Sequence, residues 1–253
     1  MLKSGLVSAT FRQLTPEQTA ALAARAGLHG IEWSGDIHVP PRGEIRSLQA
    51  LTASVKNGRA VCGYASYYRL GQSEDPASSF AKVLETAVLL ETNTIRIWAG
   101  SRGSGELKFC ERAKLYEEAA LICGMARGHC ISVSAEYHPN TLTDTLDSAM
   151  ELLAAVPDLM THWQVPPCSS VKENLQAIGI LQDRITTIHV QNCEDRIYRP
   201  LREAHENWRS YIAALAALPG THYLCLEFVK NGSADQLMED AGILNQWIEE
   251  VNG

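Results

Sequence analysis

Strand-like and helix-like segments alternate along the whole of this chain, and that alternation constrains its fold more than any single motif does. "SGLVSATF" reads as a strand and "TPEQTAALAARAG" as the helix after it. Thr15 is placed at the N-cap, Pro16 at the first helical position and Gly27 at the stop. "GIEWSG" and "EIRSLQALTASVKNG" form the next pair, then "AVCGYASYYR" and "DPASSFAKVLETAVLLE", which repeats the cap-then-proline opening. "TIRIWAG" is followed by a glycine-rich loop and a long helix over residues 107–128. The second half continues with "ISVSAEYH" and "TLTDTLDSAMELLAAV", "LMTHWQV" and "SSVKENLQAIGILQ", "ITTIHVQN" and "LREAHENWRSYIAALAAL", and finally "HYLCLEFV" and "SADQLMEDAGILNQWIEEV". Eight strands and eight helices share 253 residues, a period of about 30 residues per pair. Repeated units of that length predict one α/β domain over residues 1–253, an eight-stranded parallel barrel ringed by helices, a (β/α)8 TIM barrel. An open doubly wound sheet needs a switch point, and no feature marks one.

Bulk properties narrow the function. A hydrophobic content of 45% and a charged content of 20% are globular values. The net charge of −7 argues against a nucleic-acid partner, which calls for a basic face. No apolar run reaches the roughly 18–20 residues of a membrane span, and the start "MLKSGLVSATF" has too short an apolar stretch for a signal peptide. Seven cysteines without a C-x-x-C pair read as free thiols in a reducing compartment, the cytoplasm.

In a parallel barrel the carboxyl ends of the strands build the active face. Here they carry, in order, Phe11 and Arg12; Glu32 and Trp33; Tyr67, Tyr68 and Arg69; Arg96 and Trp98; Glu136 and His138; His162 and Gln164; His189 and Gln191; and Glu227. Period-two alternation puts Glu136 with His138, His162 with Gln164, and His189 with Gln191 on common faces. Converging carboxylates, imidazoles and amides suit Mg²⁺, Mn²⁺, Co²⁺ or Zn²⁺, and the lack of an inward cysteine pair argues against a thiolate site. Trp33, Tyr67, Tyr68 and Trp98 offer apolar faces to a sugar or, in the plainer reading, pack the barrel rim.

The stretches "GIEWSGDIHVP", "IRIWAG", "SAEYH", "HWQVPP", "TIHVQN" and "CLEFV" resemble, in order and position, the xylose-isomerase-like sugar (phosphate) isomerases and epimerases. That family folds as a (β/α)8 barrel and holds a divalent metal with Glu, Asp, His and Glu from its last four strands. Carried over, these become Glu136, the Trp163-Gln164 position, His189 and Glu227. Gln164 departs from the family's aspartate. A glutamine oxygen ligates a hard cation with a dipole and no charge, so the resemblance implies a weakly bound, more Lewis-acidic metal. His162 stands by as a replacement ligand. The implied chemistry is isomerisation or epimerisation of a sugar, sugar phosphate or polyol through an enediolate, with Glu136 and Glu227 moving the proton. Arg12, Glu32, His38, Tyr68, Trp98, His138, His162 and Arg196 are the expected substrate contacts, with Arg196 one residue beyond the related epimerases' arginine. A homo-oligomer is also in keeping with the resemblance.

Three rivals remain. A dehydratase would use the same enolate and eject a β-hydroxyl. A metal-dependent abasic-site endonuclease would need more inward histidines and a basic face. A non-catalytic sugar-binding barrel would explain Gln164 as a degraded ligand. The loop from Gly100 to Glu106 reads as a lid before it reads as a phosphate cradle.

Overall fold

The computed structural model describes residues 1–253. Strands β1 (Leu2–Val7), β2 (Gly30–Ser34), β3 (Ala60–Arg69), β4 (Thr94–Trp98), β5 (Ser132–Glu136), β6 (Met160–Trp163), β7 (Ile185–Val190) and β10 (His222–Leu226) form a closed parallel barrel. The closing seam pairs Leu2 with His222 and Leu6 with Leu226. A two-residue-per-strand hairpin, β8 (Cys193–Glu194) and β9 (Ile197–Tyr198), projects from the loop after β7. Its turn residues Asp195 and Arg196 have φ of 52° and 63°, the left-handed geometry of tight hairpins. The helices are α1 (Pro16–Arg25), α2 (Glu44–Lys56), α3 (Pro76–Leu89), α4 (Phe109–Arg127), α5 (Leu146–Ala155), α6 (Val171–Leu181), α7 (His205–Ala216) and α8 (Ala234–Asn252).

Local chemistry sets the helix ends. Thr15 caps α1 by accepting from the Gln18 amide, Gln18 returns the bond, Pro16 opens the helix, and Gly27 leaves it at φ 69°. Asp75 followed by Pro76 opens α3 in the same way. Several boundaries differ from the sequence expectation by a residue or two, and three differ further because hydroxyls and loops hold the backbone elsewhere. Residues 8–11 form a 3-10 turn and not the end of β1, because the Ser8 hydroxyl accepts from the Ser34 amide and the Ser34 hydroxyl from that of Ala9. Helix α5 begins at Leu146, not Thr141, because the Thr141 and Thr143 hydroxyls donate to the carbonyls of His138 and Glu136 and Thr145 becomes the cap. Residues 201–204 form a 3-10 turn before α7, with the Leu201 amide donating to Asp240.

Alternation splits each strand between two cores. Outward residues pack under the helices: Trp33 donates its indole N–H to Ser54 of α2, and Trp163 meets Trp208 and Tyr211 of α7 edge-on. Inward neighbours face the barrel axis. Register shifts fall between Ile31 and Glu32, between Ala65 and Arg69, and between Thr161 and Trp163. Each lies next to a polar residue that the strand delivers to the carboxyl face, where a break in regular pairing alters the local course of the strand. No helix is long and apolar enough to cross a membrane.

Candidate active site

Glu32, Arg96, Glu136, His162, Gln164 and His189 are buried together at the carboxyl end of the barrel, with Glu227 at their edge. Arg96 is the hub. Its Nε donates to Glu32 Oε1 at 2.9 Å and its Nη1 to Glu136 Oε2. Glu32 Oε2 accepts from His189 Nε2 at 3.1 Å, so both oxygens of Glu32 are engaged. His189 Nδ1 lies 3.0 Å from Glu227 Oε2, yet off the line a hydrogen bond requires, and this nitrogen has no hydrogen-bond partner. Gln164 Nε2 donates to Glu136 Oε1 and to the Tyr137 carbonyl, both at 3.1 Å, and Gln164 Oε1 accepts from Gln191 at 3.3 Å. His162 sits edge-on to His189 with ring centroids 4.0 Å apart, and neither of its nitrogens is hydrogen-bonded.

Charges couple these groups. Burial disfavours the Arg96 cation, and Glu136, Glu32 and Glu227 more than offset that, keeping it charged. Burial also disfavours charge on Glu32, but His189, His162 and Arg96 pull its pKa well down. For His189, Glu227 and Glu32 outweigh desolvation and push the pKa up to about 10. His162 goes the other way: burial, helped by His189, holds it neutral. Glu227 is lowered as well, its desolvation overcome by His189.

The donor set fits a divalent cation. Three glutamates against one arginine leave two negative charges, which such an ion would balance once His189 gives up its proton. Oxygen and imidazole donors without thiolate suit hard or borderline metals. Two groupings are available. One is Glu32, His162 and His189, whose ligand atoms lie within 4.8 Å of one another. The other is His189 Nδ1 and Glu227, with Glu136 and Gln164 adjoining. The orientation of His189 favours the second, because its Nε2 is bonded to Glu32 and its Nδ1 is left open towards Glu227. The unpartnered nitrogens of His162 remain as a reserve donor.

The remaining expected contacts separate. Trp98 and His138 lie together at the mouth, ring centroids 4.7 Å apart and stacked, with Tyr67 stacked on Trp98 at 6.0 Å. Arg12, at the same rim, pairs with Asp36. Tyr68 does not reach this site. Its hydroxyl donates to Glu118 of α4 at 2.7 Å and its ring packs on Phe80, whereas Tyr67, at φ 59°, occupies the mouth. His38 lies behind the barrel wall, its nitrogens 3.0 Å from Ser8 Oγ and 3.1 Å from the Leu14 carbonyl. Arg196 is exposed at the hairpin tip. The glycine loop is pinned, with the Ser104 amide donating to Asp144 and its carbonyl accepting from Arg112. Arg96 and Tyr67, named among the strand-end residues but not among the expected metal ligands or substrate contacts, are the residues that the sequence undervalues. Tyr67 and Tyr68 take opposite faces of β3, and Tyr67 is the one that shares the inward face of Ala65, the residue paired with Arg96.

No family model matches the chain. Over 95 residues it is 37% identical to a 3-dehydroshikimate dehydratase of Bacillus anthracis, a match covering 36% of this chain and only about a third, 34%, of that relative. Its fold is similar to that of the probable 3-DHS dehydratase AsbF of Bacillus anthracis, with TM-score 0.81 and 22% identity over 96% of this chain and 98% of the other. L-ribulose 3-epimerase aligns with TM-score 0.77 and 11% identity over 100% and 96% of the two chains. A Mycobacterium smegmatis xylose isomerase-like TIM barrel protein in complex with magnesium gives TM-score 0.75 and 14% identity over 96% and 92%. The chain thus shares the closed eight-stranded parallel barrel fold of these structures over nearly its full length.

Proposed function

We propose that the protein is a divalent-metal-dependent lyase that removes water from a small polyhydroxylated carbonyl compound. The observation that carries this reading is the fixed tautomer of His138. Its Nδ1 lies 2.6 Å from the Pro139 carbonyl, which can only accept, so Nδ1 carries the proton and Nε2 keeps its lone pair. Stacking on Trp98 holds the ring at the mouth, two residues after Glu136 on the same strand end. His138 Nε2 takes the proton from the carbon next to the carbonyl, and the electron pair forms the new C=C bond as the β-hydroxyl departs. The same nitrogen delivers its proton to that hydroxyl, so that water leaves and His138 is again neutral. Arg96 holds Glu136 in place and Gln164 orients its other oxygen, while Glu32 orients His189.

His189, Glu227, Glu136 and Gln164 would hold the metal, which when bound supplies Lewis-acid stabilisation of negative charge developing on the carbonyl oxygen. The sequence match to a 3-dehydroshikimate dehydratase supports elimination as the outcome. The non-catalytic reading loses ground, since a retired site has little reason to keep three unpartnered imidazole nitrogens buried.

Isomerisation or epimerisation of a sugar or polyol is the second reading. It draws on Glu136 and Glu227 as a pair of proton carriers in different surroundings, one on Arg96 and Gln164, the other beside His189.

The test is purified protein with Mn²⁺ or Mg²⁺ and 3-dehydroshikimate, alongside a panel of ketoses. Loss of water, followed as growth of aromatic absorbance, supports the lyase, and His138→Gln should lower it by about 10²–10⁴-fold with metal content unchanged. Ketose epimerisation without elimination would replace the first reading by the second.

A further inference from the structure

Cations around the mouth are matched to acids with one half-buried exception. Arg12 faces Asp36, Arg96 bridges Glu32 and Glu136, Arg102 meets Glu111, Arg112 meets Glu151 and Arg199 meets Glu194. Arg69, the last residue of β3, is only partly exposed, and its guanidinium makes neither an ion pair nor a hydrogen bond to the protein. It lies flat against the aromatic layer, with its central carbon 3.4 Å from the Trp98 ring centroid. The same indole stacks on His138 at 4.7 Å and 24°.

We infer that Arg69, laid on the indole of Trp98 that also stacks on His138, is a subsite for a carboxylate on the substrate. The inference deepens the proposed function by naming a substrate class, hydroxylated carbonyl compounds that also carry a carboxylate. A half-buried cation loses hydration, and burial indeed weakens the hold of Arg69 on its charge. No acid forms an ion pair with it and the more distant Glu136 offsets the desolvation only in part, so an incoming anion is the natural partner. Stacking occupies the face of the guanidinium and leaves its N–H edge open, the geometry for bidentate capture of a planar carboxylate. The electrostatic field of the site acts in the same direction. Glu32, Glu136 and Glu227 repel an anionic substrate from the barrel interior. A cation outside them, sharing the Trp98 ring with His138, gives the carboxylate a landing place and holds the substrate at the mouth where the base lies.

Carboxylate fits better than phosphate. The glycine loop that would have served as a phosphate cradle has its Ser104 amide taken by Asp144. One guanidinium also matches one negative charge.

The test uses two ligands that share a ring and two hydroxyls and differ only in the carboxylate, 3,4-dihydroxybenzoate and catechol. Both are titrated into Mn²⁺-loaded protein by calorimetry, with quenching of indole fluorescence as a second readout. Wild type should bind the acid about 10- to 100-fold more tightly than catechol. Arg69→Gln should erase that preference and leave catechol affinity within about twofold, and Arg69→Lys should restore part of it. An equal affinity in wild type, or a preference that survives in a folded Arg69→Gln, overturns the subsite. Catechol monophosphate binding more tightly than the acid overturns the choice of carboxylate. The two readings fail separately: a preference lost in Arg69→Gln without any turnover in wild type rejects the elimination and keeps the subsite.

Discussion

Gln164→Glu tests whether residue 164 faces a cation. The substitution keeps the shape of the side chain and exchanges an amide donor for an oxygen. Gln164 is 5% exposed and spends Nε2 on Glu136 Oε1 and the Tyr137 carbonyl, each at 3.1 Å. Two carboxylates about 4 Å apart at an effective dielectric constant of 20 repel by about 4 kcal/mol, so the metal-free pair avoids most of this by keeping one proton. What remains is the cost of holding that proton plus the lost donor to Tyr137, together about 2–3 kcal/mol. For a chain of this size that corresponds to a fall in Tm of roughly 4–12 °C. A divalent cation replaces the shared proton and turns the second carboxylate into a ligand. Saturating Mn²⁺ should therefore raise the melting point of the variant more than that of wild type, and a 100-fold gain in affinity would add about 2.7 kcal/mol. The assay is a thermal melt with and without Mn²⁺, paired with elemental analysis of the dialysed proteins. A variant that melts with wild type when metal-free, and gains no more from Mn²⁺, would falsify the placement of Gln164 at the metal.

Three further predictions rest on single features. In the metal-free chain His189 is raised from 6.5 to about 10, so its contribution to stability is complete below about pH 6.5 and lost towards pH 10. Mn²⁺ needs the neutral ring, so the rise in Tm that it produces should grow over the same window, and a pH-independent rise would reject His189 as a ligand. Tyr68→Phe removes the donor to Glu118 and should lower stability by about 1–3 kcal/mol while turnover persists; a selective loss of turnover would return Tyr68 to the substrate. Cys110, Cys130, Cys168 and Cys193 are exposed, whereas Cys62, Cys123 and Cys225 are buried. A thiol reagent should thus titrate four groups quickly in the native protein and the remaining three only on unfolding.

The barrel was legible because each unit writes its own signals. Thr15-Pro16 and Asp75-Pro76 open helices, Gly27 closes one, and period-two strands carry their polar residues at one end. The convergence of Glu32, Glu136, His162, Gln164, His189 and Glu227 follows from that periodicity, since closure brings all the strand ends to one face. Bulges were not legible. Tyr67 at the mouth and Tyr68 under α4 are adjacent and chemically alike, and which of them faces inward depends on the register of β3 against β4, with Ala65 opposite Arg96 and a shift before Arg69.

By itself the sequence determined the elements, their order and the kinds of side chain delivered to the active face, because these depend on local propensity and on spacing along the chain. Which of those groups touch was decided only by tertiary structure. Arg96 between Glu32 and Glu136, His38 against Ser8 and Leu14, and Arg69 alone on Trp98 depend on barrel closure and local twist. Partners 24 to 64 residues apart have no local rule to pair them, and the choice between an arginine held by acids and one left open to a ligand is made by the packing.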